Sequence, residues 1–149
     1  MERRHDEKPS IWRNASIIYR YGQMYLARNL EEIGIGRGPS QVVPLIVKFP
    51  GISQDRLAAT MNLDKGTIAR AVWQLEDDGY ARRETDENDA RSNHVYPTEK
   101  LYRHAPYIAD VMRGWYGVLF EGIPDEEKDK ILSGLETMSE NAIKYLCKK

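Results

Sequence analysis

Apolar residues recur at helical spacing in the first part of the chain, over residues 11–30, where Ser10 is placed to cap a helix. The apolar stripe is wide, which indicates that both flanks of this helix pack against other surfaces. A glycine- and proline-rich segment, 34–39, ends the helix. A short apolar helix is predicted over 40–49, with Pro44 in its first turn or at a kink, because proline lacks an amide hydrogen.

The segment 53–78 predicts two short helices joined by a tight turn. Ser53 is placed to cap the first helix and Asp64 the second. Asn62 tolerates the left-handed conformation that such a turn requires. The second helix shows a buried face at three- and four-residue spacing, formed by Ile68, Ala71, Val72 and Leu75. This arrangement matches a helix-turn-helix.

Two short strands are predicted next, at 80–85 and 93–98, around a polar loop at 86–92. We expect Pro97 to confine the second strand to a sheet edge, because it cannot donate a ladder hydrogen bond. A helix-turn-helix followed by such a β-hairpin is a winged helix. The sequence therefore predicts a mainly α fold with a small β-hairpin wing.

The last part of the chain carries two heptad-like apolar seams, over 101–119 and 131–145, with a glycine- and proline-containing break at 122–124. Pro106 is expected to bend the first of these helices near its start. Seams with a mean spacing of about 3.5 residues suit knobs-into-holes packing between chains. The same periodicity also fits helices that fold over their own winged helix, so the pattern alone leaves both arrangements open.

Composition limits the class of protein. A chain of 149 residues with 41% hydrophobic and 30% charged residues suits one compact domain or two small lobes, not a large multidomain enzyme. No apolar run approaches the ~20 residues of a membrane span, and the charged N-terminal segment is unlike a signal peptide, so a cytoplasmic protein is expected. The single cysteine, Cys147, and scattered histidines predict no disulfide, metal or cofactor. No nucleophile–base pair or phosphate loop indicates an enzyme.

Charge does not by itself favour nucleic-acid binding, because the net charge is -1 and residues 53–103 hold eight basic and ten acidic residues. The positions of individual residues are more informative. On a helical wheel, the face opposite the buried one carries Gly66, Arg70 and Trp73, with Thr67 and Gln74 on its flank and Lys65 at its start. Arginine pairs with guanine, threonine contacts base edges, and glycine permits close approach to DNA. A solvated helix face gives a similar pattern, but the preceding helix and following hairpin favour DNA contact.

Three runs in this region, Ser53–Ala58, Asp64–Val72 and Leu75–Tyr80, closely resemble the MarR family of bacterial and archaeal transcription regulators. The wing adds an Asp-x-Arg motif, Asp89 and Arg91, followed by a threonine that opens the next helix. The resemblance implies that Asp89 holds the wing by a salt bridge while Arg91 reaches into the minor groove of DNA. The implied DNA-binding residues are Ser53, Gln54, Lys65, Gly66, Thr67, Arg70, Gln74, Asp89, Arg91 and Asn93.

The resemblance also implies the organisation and activity of the whole chain. One MarR-type domain, 1–149, would contain a DNA-binding lobe at 38–100, with the helix-turn-helix at 53–78 and the wing at 80–98. Residues 10–33 and 101–147 would form a helical dimerisation region. The expected function is that of a homodimeric repressor on a pseudo-palindromic operator of double-stranded DNA. The alternative is a protein-interaction module without direct DNA binding, which the near-zero net charge favours.

A small-molecule effector is a further expectation, because the family commonly binds phenolic or aromatic acids between the dimerisation helices and the winged helix. The candidate pocket residues are Tyr19, Arg20, Tyr25, Tyr107 and Trp115. The same residues also fit core positions and surface positions with partly covered side chains. Cys147 is redox-active in the manner of some relatives or, as a lone cysteine near the C-terminus, inert.

Overall fold

The computed structural model describes residues 10–146, which form two compact units, one ending at Arg113 and the other beginning at Gly114. Helices dominate, and a small antiparallel sheet lies in the first unit, as the sequence predicts. The elements in chain order are α1 (Ile11–Glu31), α2 (Arg37–Ser40), α3 (Val43–Lys48), β1 (Ile52–Ser53), α4 (Gln54–Met61), α5 (Lys65–Asp77), β2 (Ala81–Thr85), β3 (Asn93–Pro97), α6 (Glu99–Tyr102), α7 (Ala105–Leu119) and α8 (Asp125–Leu146).

The helix-turn-helix forms for the local reasons that its sequence indicates. The Ser53 hydroxyl accepts the backbone N–H of Arg56 at 3.1 Å at the start of α4. An Asp64 carboxylate oxygen accepts the backbone N–H of Thr67 at 2.8 Å at the start of α5. Asn62, between the two helices, has φ 52° and ψ 45°, the left-handed conformation that ends α4. The structure thus has both predicted caps and the predicted turn.

The predicted helix over 40–49 is α3, with Pro44 in its first turn as predicted, while a separate short helix, α2, lies mostly in the segment that we expected to be only a break. Pro44 explains the interruption, because an interior proline loses its hydrogen bond and clashes with the carbonyl four residues earlier. That carbonyl belongs to Ser40, the last residue of α2. Pro44 therefore lies in the first turn of α3, where its missing N–H costs nothing. The buried Ser40 hydroxyl donates to the carbonyl of Arg37 at 2.8 Å.

The sheet has the order β1–β3–β2, so the expectation that Pro97 confines its strand to a sheet edge is wrong. β3 is the central strand because the two-residue β1 pairs with it through Ile52 and Ser53, too short a strand for periodicity to reveal. Pro97 lies at the end of β3, beyond the reach of β1. On the other side, the next residue, Thr98, donates its N–H to Tyr80, and alternation of the ladder leaves Pro97 at a position that needs no donor.

The core of the first unit joins the C-terminal end of α1 to the winged helix. The predicted buried face of α5 is buried, and Tyr80, at the start of the wing, donates its hydroxyl to the carbonyl of Ile33. The largest side chains with no more than about 1% exposure are Leu30, Ile35, Val42, Val43, Ile46, Leu57, Ile68, Val72, Leu75, Val95 and Leu101. Close packing of these residues fixes where α5 presents its opposite face.

The region after the wing is not one bent helix. Thr98 caps α6, which ends at Tyr102, and Pro106 lies in the first turn of α7. An interior Pro106 would lose the bond to the carbonyl of Tyr102, so the helix restarts rather than bends. In the second unit, α8 begins at Asp125 after the predicted break and has no buried residue. No helix among residues 10–146 is long and apolar enough to cross a membrane.

Asn62 generates a stability prediction. Replacement of Asn62 with Val should lower the free energy of unfolding by about 1–2 kcal/mol, because a β-branched residue strains the left-handed conformation. Asn62→Gly, which removes that strain, should stay near the wild type. Thermal unfolding of the three proteins measures the difference. Equal midpoints for the Val and Gly variants would contradict the role given to this turn.

Candidate nucleic-acid interface

The N-terminus of α4, the first turns of α5 and the wing meet on one side of the first unit. They enclose a concave surface of about 190 Å³. Its lining residues are Gln54, Asp55, Lys65, Ala69, Arg91 and Asn93. Four of the ten residues predicted to bind DNA, from both the helix-turn-helix and the wing, therefore lie around one concavity.

The exposed start of α5 carries a chain of hydrogen bonds that leads from its cap to its outward face. The Thr67 hydroxyl donates to the second carboxylate oxygen of Asp64 at 2.6 Å, and Arg70 donates Nη2–H to the Thr67 hydroxyl at 3.1 Å. These bonds to Thr67 hold the pKa of Asp64 below its usual value. The cap and the arginine are thus linked through the Thr67 hydroxyl.

Because Gly66 has no side chain, the side chains of Asp64 and Arg70 can lie close to its Cα. A Cβ at this position would stand 3.1 Å from an Asp64 carboxylate oxygen and 3.4 Å from Nη1 of Arg70. A side chain here would therefore press on both the cap and the arginine. The glycine that we expected to permit close approach to DNA also makes room for the Asp64–Thr67–Arg70 chain.

Three other predicted residues are engaged within the protein. The Ser53 hydroxyl caps α4. Gln74, half-buried, donates Nε2–H to a carboxylate oxygen of Asp78 at 3.0 Å, toward the C-terminal end of α5. Lys65 lies 3.0 Å from the Asp55 carboxylate, but both side chains are largely exposed, so this ion pair is weak and exchangeable.

The wing loop differs from the expectation at Asp89. Asp89 forms no ion pair among residues 10–146; its carboxylate accepts the backbone N–H of Arg91 at 3.0 Å, as an Asx turn that shapes the loop. Asp86 accepts the backbone N–H groups of Asn88 and Asp89, and so organises the same loop. The side chain of Arg91 is exposed and forms no ion pair within the described chain.

His94 connects the wing loop to the turn before β1, a role that the sequence pattern did not reveal. Its Nδ1 lies 2.8 Å from the carbonyl of Gly51 and its Nε2 lies 3.0 Å from the Asp86 carboxylate. Both partners are acceptors, so only the imidazolium, with two N–H groups, satisfies both contacts. The Gly51 carbonyl and then the Asp86 hydrogen bond raise the pKa of His94. The sequence does contain a signal for this link, which our sequence analysis missed. Asp86 and His94 lie at opposite ends of the hairpin loop, where their side chains can meet.

Two acidic residues of the winged helix, Glu76 and Glu84, form ion pairs with arginines of β2. Glu76 on α5 binds Arg83 on β2, with 2.7 Å between Oε2 and Nε, and also accepts the Arg83 backbone N–H. On β2, Arg82 pairs with Glu84 and lies over the Tyr96 ring. Arg70, by contrast, forms no ion pair with any residue between 10 and 146. The near-zero net charge therefore conceals exposed cations, Arg70 and Arg91, that form no ion pair within residues 10–146.

The predicted effector residues do not form one site in the first unit. Tyr19 and Arg20 line a concave surface of about 490 Å³ on α1, together with Arg37 of α2. Tyr25 packs against the core, and the Tyr107 hydroxyl donates to the carbonyl of Asn29 at 2.9 Å and to Glu32. Burial, followed by the Glu32 contact, raises the pKa of Tyr107.

Two predicted positions remain, Trp115 and Cys147. Trp115 is half-buried in the second unit. Cys147 lies outside the described residues. Within the described chain, no group of three His, Cys, Asp or Glu side chains is placed to hold a metal ion.

The helix-turn-helix, the three-stranded sheet and the flanking long helices define a winged helix-turn-helix protein. The chain belongs to the MarR family of transcriptional regulators, whose model matches residues 42–92. A crystal structure of a MarR transcriptional regulator from Methanosarcina mazei Go1 is 37% identical and superposes with a TM-score of 0.85, covering 93% of this chain and all of that one.

Two other proteins are similar to this chain, one in sequence and one in fold. The HTH-type transcriptional regulator BilQ of Clostridium symbiosum is 29% identical over 85% of this chain and 88% of its own length. A MarR family protein of Listeria monocytogenes, solved in complex with 26mer DNA, shares the fold with a TM-score of 0.83 at 23% identity, over 90% of this chain and 89% of its own. These proteins are regulators of transcription and not enzymes.

The two acceptors of His94 generate a pH prediction. Because folding raises the pKa of His94, its stabilisation is complete below about 6.5, the unperturbed value, and is lost as the pH rises through the folded-state value. Asp86→Asn should lower the pKa of His94, measured by an NMR titration of the imidazole. The matched control is Glu87→Gln, which removes a neighbouring charge that does not touch the ring. Equal lowering in both variants would show that no specific contact exists.

Proposed function

We propose that this protein is a homodimeric transcriptional repressor that binds a pseudo-palindromic DNA site through α5 and the wing. The observation that carries the proposal is the concave surface where α4, α5 and the wing meet, with Lys65 and Arg91 on its lining. The fold itself accommodates DNA in the Listeria monocytogenes relative. A regulator of this family acts on chromosomal DNA, so we also propose that it works in the cytoplasm.

Arg70 is the residue that we assign to the major groove. It lies on the outward face of α5, and its only hydrogen bond among the described side chains, to Thr67, is exposed and therefore exchangeable. A guanidinium in this position fits the two acceptors of guanine, while Thr67 beside it contacts a neighbouring base edge.

Arg91 is the residue that we assign to the minor groove or its flanking phosphates. The Asx turns of Asp86 and Asp89 shape the loop that presents it, and Asn93 follows at the base of the same loop. A narrow minor groove has an enhanced negative potential, which attracts an exposed arginine. In this proposal Asp89 acts by positioning the backbone of Arg91, not by an ion pair.

Homodimerisation is supported by apolar side chains that the described units leave uncovered. Trp12 on α1 is 89% exposed, and α8 has no buried residue at all. Exposed apolar faces of this extent mark interaction surfaces. The exposed apolar residues on these two helices include Ile11, Trp12, Ile17, Ile18, Ile131, Leu132, Leu135, Met138, Ile143 and Leu146. We assign them to the interface of a dimer whose two α5 helices enter major grooves about 34 Å apart.

A small aromatic acid remains our proposed effector, at the concave surface on α1. Arg20 and Arg37 supply positive charge for a carboxylate there, and Tyr19 supplies an aromatic ring. Such a ligand acts by favouring one spacing of the two α5 helices over another. A winged-helix module that binds only proteins is the alternative function, and the DNA-binding measurement below distinguishes it.

Replacement of Arg70 and replacement of Arg91 should affect DNA binding in different ways. Arg70→Ala should weaken binding to a preferred site by about 1–3 kcal/mol and blur sequence preference, because the major groove carries the base code. Arg91→Ala should weaken binding to all duplexes and flatten the dependence of log affinity on log salt by about one unit. The reason is that Arg91 responds to the groove shape and the phosphate charge, which all duplexes share. Fluorescence anisotropy with a site selected from random DNA, across a salt series, measures both effects.

The matched control for these variants is Arg103→Ala, which removes an exposed arginine that directly follows α6 and leaves Glu99 without its ion pair. It should keep the wild-type affinity and salt slope. If the folded wild-type protein prefers no duplex and shows no salt-dependent binding, the protein-interaction alternative is correct. If Arg70→Ala and Arg91→Ala match the control, a different surface binds DNA.

The dimer should be disrupted by a single charge on α8. Leu135→Lys should shift the protein from dimer to monomer in sedimentation at micromolar concentration, because it places an ammonium group in an apolar interface. Glu136→Lys, the adjacent charge change, should leave the dimer intact. Deletion of residues 125–149 should abolish the dimer together with solubility. A soluble wild-type monomer would show that these faces do not mediate self-association.

A further inference from the structure

Trp73 is an exposed aromatic residue on a helix whose other large apolar residues are buried. It is 57% exposed, whereas Ile68, Val72 and Leu75 on the same helix are fully buried. Within the described chain the indole forms no hydrogen bond and no aromatic contact. Burial of its apolar surface would be favourable, so the fold leaves this ring available to a partner that approaches the outward face of α5.

The position of Trp73 continues the outward stripe of α5. Gly66, Arg70 and Trp73 follow four- and three-residue spacing, which places them above one another on one side of the helix. Trp73 lies roughly 4.5 Å beyond Arg70 along the helix axis. That step is close to the ~3.4 Å rise of one base pair. When Arg70 contacts one base pair of a duplex, Trp73 therefore faces the neighbouring base pair.

The charges around Trp73 favour the interior of a groove over a phosphate. Asp77, one turn further along α5, is an exposed carboxylate that repels phosphate. Ala69 and Gly66 are small, so the helix can approach a groove floor closely on this side. The major groove presents one apolar group, the methyl group of thymine. That group suits an apolar ring that lies between a base-contacting arginine and a carboxylate.

We propose that Trp73 is a specificity-determining residue that packs against a thymine methyl group in the major groove, one base step from the base that Arg70 contacts. The proposal rests on the proposed DNA-binding function. It adds a base preference that hydrogen-bonding residues of α5 do not supply. It also gives the exposed indole a partner, since the methyl group and the ring exclude water from each other.

Uracil substitution tests this proposal, because uracil pairs with adenine as thymine does and lacks only the methyl group. The probe is the duplex that the wild-type protein selects from a random-sequence library, with each thymine replaced in turn. One position in each half-site should show an affinity for wild-type protein that is about three- to fivefold lower with uracil. That loss should disappear in Trp73→Ala and persist in Trp73→Phe.

Tyr102→Ala is the matched control, because Tyr102 is a 45% exposed aromatic on a different helix, α6. It should show the full wild-type response to uracil, and far-UV circular dichroism should be unchanged in all variants. The proposal is overturned if no thymine responds, or if Trp73→Ala keeps the uracil effect or weakens all duplexes equally. A wild-type protein that selects no duplex at all would instead refute DNA binding itself, and this proposal with it.

Discussion

Packing of the buried face of α5 is the constraint on which the rest of the winged helix depends. Ile68, Val72 and Leu75 are fully buried in one core that also holds residues from α1, α3 and α4. Because an α-helix repeats every 3.6 residues, fixing this face also fixes the opposite one, which carries Arg70 and Trp73. The core therefore orients the outward face of α5. The caps Ser53 and Asp64, at the starts of α4 and α5, add only local hydrogen bonds.

The wing is held to the same core by a few long-range contacts. Tyr80 bonds to the carbonyl of Ile33, and Glu76 on α5 binds both the side chain and the backbone of Arg83 on β2. The Thr98 hydroxyl donates to the carbonyl of Gly79 at 2.6 Å, which ties the end of β3 to the end of α5. Hence the distance between α5 and the wing loop is set by the fold and not by the loop.

Charge is organised locally, which is why net charge is a poor guide to this surface. Acidic residues cap α5, shape the wing loop or pair with neighbouring arginines, as Asp64, Asp86 and Glu76 illustrate. Each of these contacts removes a carboxylate from direct competition with a phosphate. The cations on the outward face keep their exposure, and the resulting local field matters more than the sum over the chain.

Local sequence determined the elements whose causes are local. The caps at Ser53 and Asp64, the left-handed Asn62 and the buried face of α5 follow from side-chain chemistry and helical spacing, and the structure contains all of them. Tertiary structure decided what depends on distant partners. β1 exists only because β3 lies beside it, and His94 becomes a link only because Gly51 and Asp86 meet there. Periodicity describes one segment at a time, so it carries no record of which segments fold together.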